Sequence, residues 1–100
     1  MPSLVLSEHK QNQNPLQPGH FRQWTNFRAP QSDSGAWVVS AFAASRPGPQ
    51  QSDVLTIEDV RIQTGRDEEG DPAHKLHFKV RNVGPSTVER YVVNVWHLLP

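Results

Sequence analysis

The sequence predicts an all-β protein: an antiparallel immunoglobulin-like β-sandwich, with a small β-barrel as the alternative arrangement. Three observations predict it. Apolar residues recur with period two in six short segments, β-branched and aromatic types are frequent in them, and Gly or Pro breaks separate them with no convincing helix between. A chain of 100 residues buries roughly 65% of its unfolded surface, enough for one modest core, so residues 1–100 are read as a single domain.

Leu4 to Ser7 is a short strand candidate, followed by a polar, Pro-containing loop over residues 8–19 whose composition cannot offset its ordering entropy. His20 to Arg28 is a better strand, with Phe21 and Phe27 in one phase and Arg22, Trp24, Asn26 and Arg28 in the other. Gly35 to Ser45 is apolar on both faces. Its opening Gly35-Ala36-Trp37-Val38-Val39 favours strand, while its alanines keep a buried helix open. A Pro-rich connector over residues 46–52 excludes helix or central strand and divides the chain near its middle.

In Val54 to Thr64, Leu55 and Ile57 stand in one phase and Val60 and Ile62 in the other. A bulge at Glu58-Asp59 would return both pairs to one face. Arg66 to Pro72 reads as an acidic turn with Gly70 available for positive φ. His74 to Asn82 is the clearest strand, with Leu76, Phe78 and Val80 towards a core and Lys75, His77, Lys79 and Arg81 towards water. Gly84-Pro85-Ser86-Thr87 breaks the chain again before a last strand, Val88 to Leu99.

Leu55 to Ile62, the acidic turn, Leu76-His77-Phe78-Lys79-Val80-Arg81-Asn82-Val83-Gly84 and Tyr91-Val92-Val93 together resemble the opening strands of CARDB-type bacterial immunoglobulin-like domains, a cell-adhesion-related family. In those domains a strand ending in an Asn-X-Gly turn precedes a crossing to the opposite sheet. The resemblance covers about the C-terminal half, and the family continues with several strands where this sequence ends. It implies a non-catalytic sandwich used for contact, whose remaining sheet comes from Phe21 to Ser45, from another subunit, or not at all, and it carries no binding residues.

Ten Lys and Arg balance ten Asp and Glu, so the field that concentrates nucleic acid or anionic lipid is missing, and neither nucleic acid nor membrane is expected as a partner. The absence of Cys removes thiolate nucleophiles, thiolate zinc sites and iron–sulfur clusters. Met1 to Lys10 lacks a basic region followed by an apolar stretch, and no segment has the length of a bilayer span, which reads as a cytoplasmic protein. On a strand His74 and His77 point to opposite faces, and the acids Asp67, Glu68, Glu69 and Asp71 lack the ligand spacing of a calcium loop. Asp33-Ser34-Gly35 lacks the glycines of a nucleophile elbow. No metal, cofactor or enzymatic activity is expected.

The aromatic residues carry the functional expectations. If Tyr91, Val93 and Val95 fill the core, Val92, Trp96 and Leu98 form an apolar strip outside; the opposite assignment exchanges the strips. With the double-faced segment around Trp37, this surplus exceeds what a lone small sandwich exposes, and burial against a protein partner, itself or a larger assembly, would cover it. Trp37 and Trp96 are then the anchors, with Val92 and Leu98 beside them. The alternative is a carbohydrate-binding module in which Trp24, flanked by Arg22 and Asn26, stacks on a sugar ring. Against that stands the plainer arrangement, preferred here, in which Trp24 lies between the sheets with the arginines covering its edge.

Overall fold

A computed structural model of the protein describes residues 3–28, 37–44, 53–66 and 68–99. The described residues form six strands: β1 (Ser3–Asn12), β2 (Phe21–Arg28), β3 (Trp37–Ala43), β4 (Leu55–Arg66), β5 (Pro72–Asn82) and β6 (Tyr91–Leu99). They make two three-stranded antiparallel sheets, ordered β1-β6-β3 and β2-β5-β4, which do not close into a barrel. No helix among the described residues is long and apolar enough to cross a membrane.

Directly opposed residues on antiparallel neighbours point to the same face, so register fixes which side chains meet. In one sheet Trp24 opposes Phe78, Arg22 opposes Val80 and Ile57 opposes Val80 from the other side. In the other, Val95 lies between Glu8 and Val39, and Val93 between Lys10 and Ala41. Leu76, Phe78, Val80, Tyr91, Val93 and Val95 thus line the inter-sheet layer with Leu16 and Val88, while Trp24, Trp37, Val39, Leu55 and Ile57 pack around them half-buried. β5 and β6 sit at the centres of their sheets and supply most of that layer, β5 through its alternating Leu76, Phe78 and Val80 and β6 through Tyr91, Val93 and Val95.

The ambiguous segment is a strand. Along β3 exposure alternates residue by residue, with Val39, Ala41 and Ala43 inward and Val38 and Phe42 outward. The β4 bulge also forms: register shifts between Glu58 and Arg61, and Asp59 takes φ 53°, a conformation Asp tolerates better than most residues. After it Ile62 opposes Leu76, on the inner side with Ile57. Gly70 turns at φ 87°.

The expected loop over residues 8–19 requires correction. Its first part, Glu8 to Asn12, continues β1 after a register shift at Ser7, paired with Val95 to Tyr91 of β6. Polar composition misled here because β1 is an edge strand paired through its backbone, and none of its described side chains joins the core cluster. Leu16 is buried, and its N–H and C=O bond the C=O and N–H of Val88 at 2.7 and 2.9 Å. The connector expected at residues 46–52 lies outside the described residues.

Asn82, fully buried at the end of β5, ties this end of the sandwich together. Its Nδ2 donates to the carbonyls of Leu16 and Ser86 at 2.9 and 2.8 Å, and its Oδ1 accepts from Gly84 N–H at 2.9 Å. An Asn side chain bonding the backbone two residues on forms a turn of its own, and here that turn sends the chain from β5 across to β6 in the other sheet.

Candidate interaction surface

The two outer faces of the sandwich differ in chemistry. On the β2-β5-β4 face the polar side chains satisfy one another. Arg81 Nε bonds both carboxylate oxygens of Glu58 at 2.9 Å, Lys79 lies 3.1 Å from Asp59, and both cations stand over the Phe21 ring at 4.6 and 5.0 Å. His77 lies between Thr25 Oγ1 and Gln63 Oε1, each at 3.0 Å. The strip Lys75, His77, Lys79 and Arg81 is therefore on the wet side, and His74 and His77 face opposite ways, as their spacing requires.

The β1-β6-β3 outer face is built from the other phase of its strands. Register places Leu4 beside Leu98, Leu6 and Val38 on either side of Trp96, His9 and Ser40 around Asn94, and Gln11 and Phe42 around Val92. None of these residues is Asp, Glu, Lys or Arg. Leu4, Leu6, Val38, Phe42 and Leu98 are 52%, 44%, 44%, 51% and 37% exposed. The single polar row is internally joined, with His9 Nδ1 donating to Asn94 Oδ1 at 2.7 Å.

The strip assignment with Tyr91, Val93 and Val95 in the core is the one adopted, which puts Trp96 and Leu98 on this outer face. One expected anchor, Trp37, and one residue expected beside the anchors, Val92, behave otherwise. Trp37 opposes His97, one residue out of phase with Trp96, so it points into the sandwich, where its ring stacks on His97 at 4.1 Å and packs on the core. Val92 is on the outer face but only 5% exposed between its neighbours on β1 and β3, leaving little area to offer a partner. Leu4, Leu6, Val38 and Phe42 take their places. Their phases were visible in the sequence, but grouping them needed the β1–β6 register.

Trp24 is not part of an exposed stripe. It is half-buried on the inner face, parallel to the Phe78 ring at 6.2 Å and edge-on to Tyr91 at 6.1 Å, and its Nε1 donates to Tyr91 Oη at 3.0 Å. Asn12 Nδ2 donates to the same oxygen at 3.1 Å. Arg22 shares this inner face, while the side chain of Asn26 lies outside the described residues. A ring whose face and N–H are both engaged by the core lacks the free platform that sugar stacking needs.

Among the described residues no three His, Asp or Glu side chains converge as a metal ion would require. A depression of about 110 Å³ lined by Gln63, Gly65, Arg66, Ala73 and Lys75 is well below the size of typical substrate sites. Comparison with protein-family models, with curated proteins and with solved structures finds no match for this chain.

Proposed function

We propose that this protein is a non-catalytic structural or interaction module, immunoglobulin-like in kind, that associates with protein through the outer face of β1-β6-β3. One observation carries the reading: this face exposes five large apolar side chains with no charged residue among its described positions, while the opposite face is ionic and hydrogen-bonded within itself. Scattered exposed apolar residues are ordinary, but a contiguous neutral patch on one side of a sandwich is characteristic of contact surfaces. Trp96 at its centre is the anchor, because a large rigid ring supplies contact area at low entropy cost.

The topology supports the immunoglobulin-like, CARDB-type part of the reading. β2 pairs with β5 in one sheet and β3 with β6 in the other, so the β2-to-β3 and β5-to-β6 connections both cross between sheets, the interlock of a Greek-key sandwich. A zero net charge leaves no long-range repulsion between copies, which favours self-association in the absence of another partner.

The test is native mass by sedimentation over micromolar to sub-millimolar concentrations. The expected result is a mass above 11.3 kDa that falls towards the monomer in Trp96→Ser and Leu6→Ser. A wild-type protein strictly monomeric across that range and across salt concentrations overturns self-association, and unchanged assembly in both folded variants overturns the choice of face.

A further inference from the structure

Four strands stand at sheet edges: β1 and β3 in one sheet, β2 and β4 in the other. An open edge offers unpaired N–H and C=O groups, and soluble proteins guard such edges with charges, bulges, Pro or inward-pointing ionic residues. Three of these edges are guarded. β1 has its register shift at Ser7 and points Glu8 and Lys10 inward, β2 carries Arg22 and Arg28, and β4 has its bulge with Asp59 at positive φ followed by Arg61 and Arg66. β3 has none of these devices: Trp-Val-Val-Ser-Ala-Phe-Ala contains no charge, Gly or Pro and pairs with β6 without a register shift.

We infer that β3 pairs antiparallel with β3 of a second copy about a two-fold axis at Ser40, joining two β1-β6-β3 sheets into one six-stranded sheet. Backbone direction permits it. Ala44 N–H donates to Arg90 C=O at 2.9 Å, in register with the β3–β6 ladder. Alternation along an antiparallel ladder then turns the N–H and C=O of Val39 and Ala41 away from β6. Among the described residues no strand lies along that side of β3.

The side chains are self-complementary in the same register. On the outer face Val38 falls opposite Phe42 of the second copy, and Phe42 opposite Val38, β-branched against aromatic. On the inner face Val39 falls opposite Ala41, large against small, and the two residues exchange N–H···O=C bonds across the axis. A neutral strand meeting itself brings no like charges together, and the closed two-fold leaves no free β3 edge for further growth.

The inference extends the reading of the outer face and supplies what that face lacks. β1, β6 and β3 have 10, 9 and 7 residues, which at about 3.3 Å per residue and about 4.8 Å between strands give a footprint of roughly 400 Å². Stable interfaces bury about 800 Å² per partner. Two faces side by side in one sheet reach that size.

The chain contains no Cys, so Ser40→Cys introduces a single thiol, and the test is disulfide formation under mild oxidation. In this register the two residues at position 40 form a non-hydrogen-bonded pair with Cα atoms about 4.5 Å apart, within disulfide range. Residues at position 42 are displaced along the strands by roughly 13 Å. Ser40→Cys is expected to cross-link to a covalent dimer and Phe42→Cys is not. Ala41→Pro keeps the ladder to β6, because the N–H it removes faces outward, and raises the dimer dissociation constant about tenfold or more with unchanged circular dichroism.

Cross-linking at position 42 but not 40, or an unchanged native mass in folded Ala41→Pro, overturns the β3 pairing. If Trp96→Ser still dissociates that assembly, the outer-face reading survives alone. A wild-type protein monomeric at about 100 µM overturns the β3 pairing and self-association through the outer face alike.

Discussion

Asn82→Ala is the substitution whose cost is most directly set by named contacts. The residue is fully buried, and its amide makes three hydrogen bonds, to the carbonyls of Leu16 and Ser86 and from the N–H of Gly84. Alanine removes all three and supplies no replacement, leaving the part-buried Ser86 carbonyl and Gly84 N–H without this partner, while the Leu16 carbonyl keeps only its bond from Val88 N–H. At about 1 kcal/mol per bond, with a further desolvation cost for stranded groups, the loss is about 3–4 kcal/mol. That is a large share of the 5–15 kcal/mol typical of a domain. With a urea m-value of about 1.3 kcal/mol per M, the midpoint falls by roughly 2–3 M. Equilibrium urea titration followed by tryptophan fluorescence measures it. Asn82→Asp separates the two polar ends of the amide: it keeps an acceptor for Gly84 but sets a carboxylate oxygen against two carbonyls, and it is expected to be at least as damaging at neutral pH. A loss below about 1 kcal/mol in Asn82→Ala would refute the assignment of this side chain as the tie between β5, the Leu16 loop and the crossing to β6.

Leu16→Ala tests whether the segment after β1 belongs to the core: a buried leucine there predicts about 2–3 kcal/mol of destabilisation by urea titration, whereas a solvated loop predicts almost none. Burial raises the Tyr91 hydroxyl above its ordinary pKa of 10.0, against smaller lowering effects from the Trp24 hydrogen bond, the Arg22 charge and the Asn12 hydrogen bond. The unfolded chain therefore releases this proton first, and the resulting stability is fully present below about pH 10 and declines as pH rises from there through the folded pKa. Wild type should lose more stability than Tyr91→Phe between about pH 9 and pH 11; parallel losses would show that this hydroxyl titrates alike in both states.

Alternation was enough to read β5, which sets apolar residues against polar ones at period two with one face buried; β2 and β6 were legible as strands but not by face, because Phe21 of β2 lies outward and Trp24 inward, and both phases of β6 are apolar. The β4 bulge was legible for the same reason: two apolar pairs out of phase need one extra residue to share a face. What alternation could not supply was register between distant strands. Trp37 and Trp96 looked equivalent as large aromatic residues, yet a pairing that opposes Trp37 to His97 puts them on opposite faces. Leu4 and Leu6 became part of a surface only through their pairing with Leu98 and Trp96. The polar half of β1 was hidden because what holds it is polar: backbone pairing to β6 together with the bonds of His9 to Asn94 and of Asn12 to the Tyr91 hydroxyl. Asn82 was visible as part of a turn, but its third bond reaches Leu16, 66 residues away in sequence.

The order of strands along the chain bears on how the protein is made. β6 is the spine of its sheet, yet it follows both its neighbours, β1 and β3, in the chain. On a ribosome those two segments emerge with nothing to hydrogen-bond to until β6 has cleared the exit tunnel, whereas β2, β4 and β5 can assemble first. The nascent molecule therefore passes through a half-built stage that displays oily ribbon, including the unguarded Trp37–Ala43 stretch. Such a stage favours sticking together in the wrong order, and it is where a chaperone would have most to do.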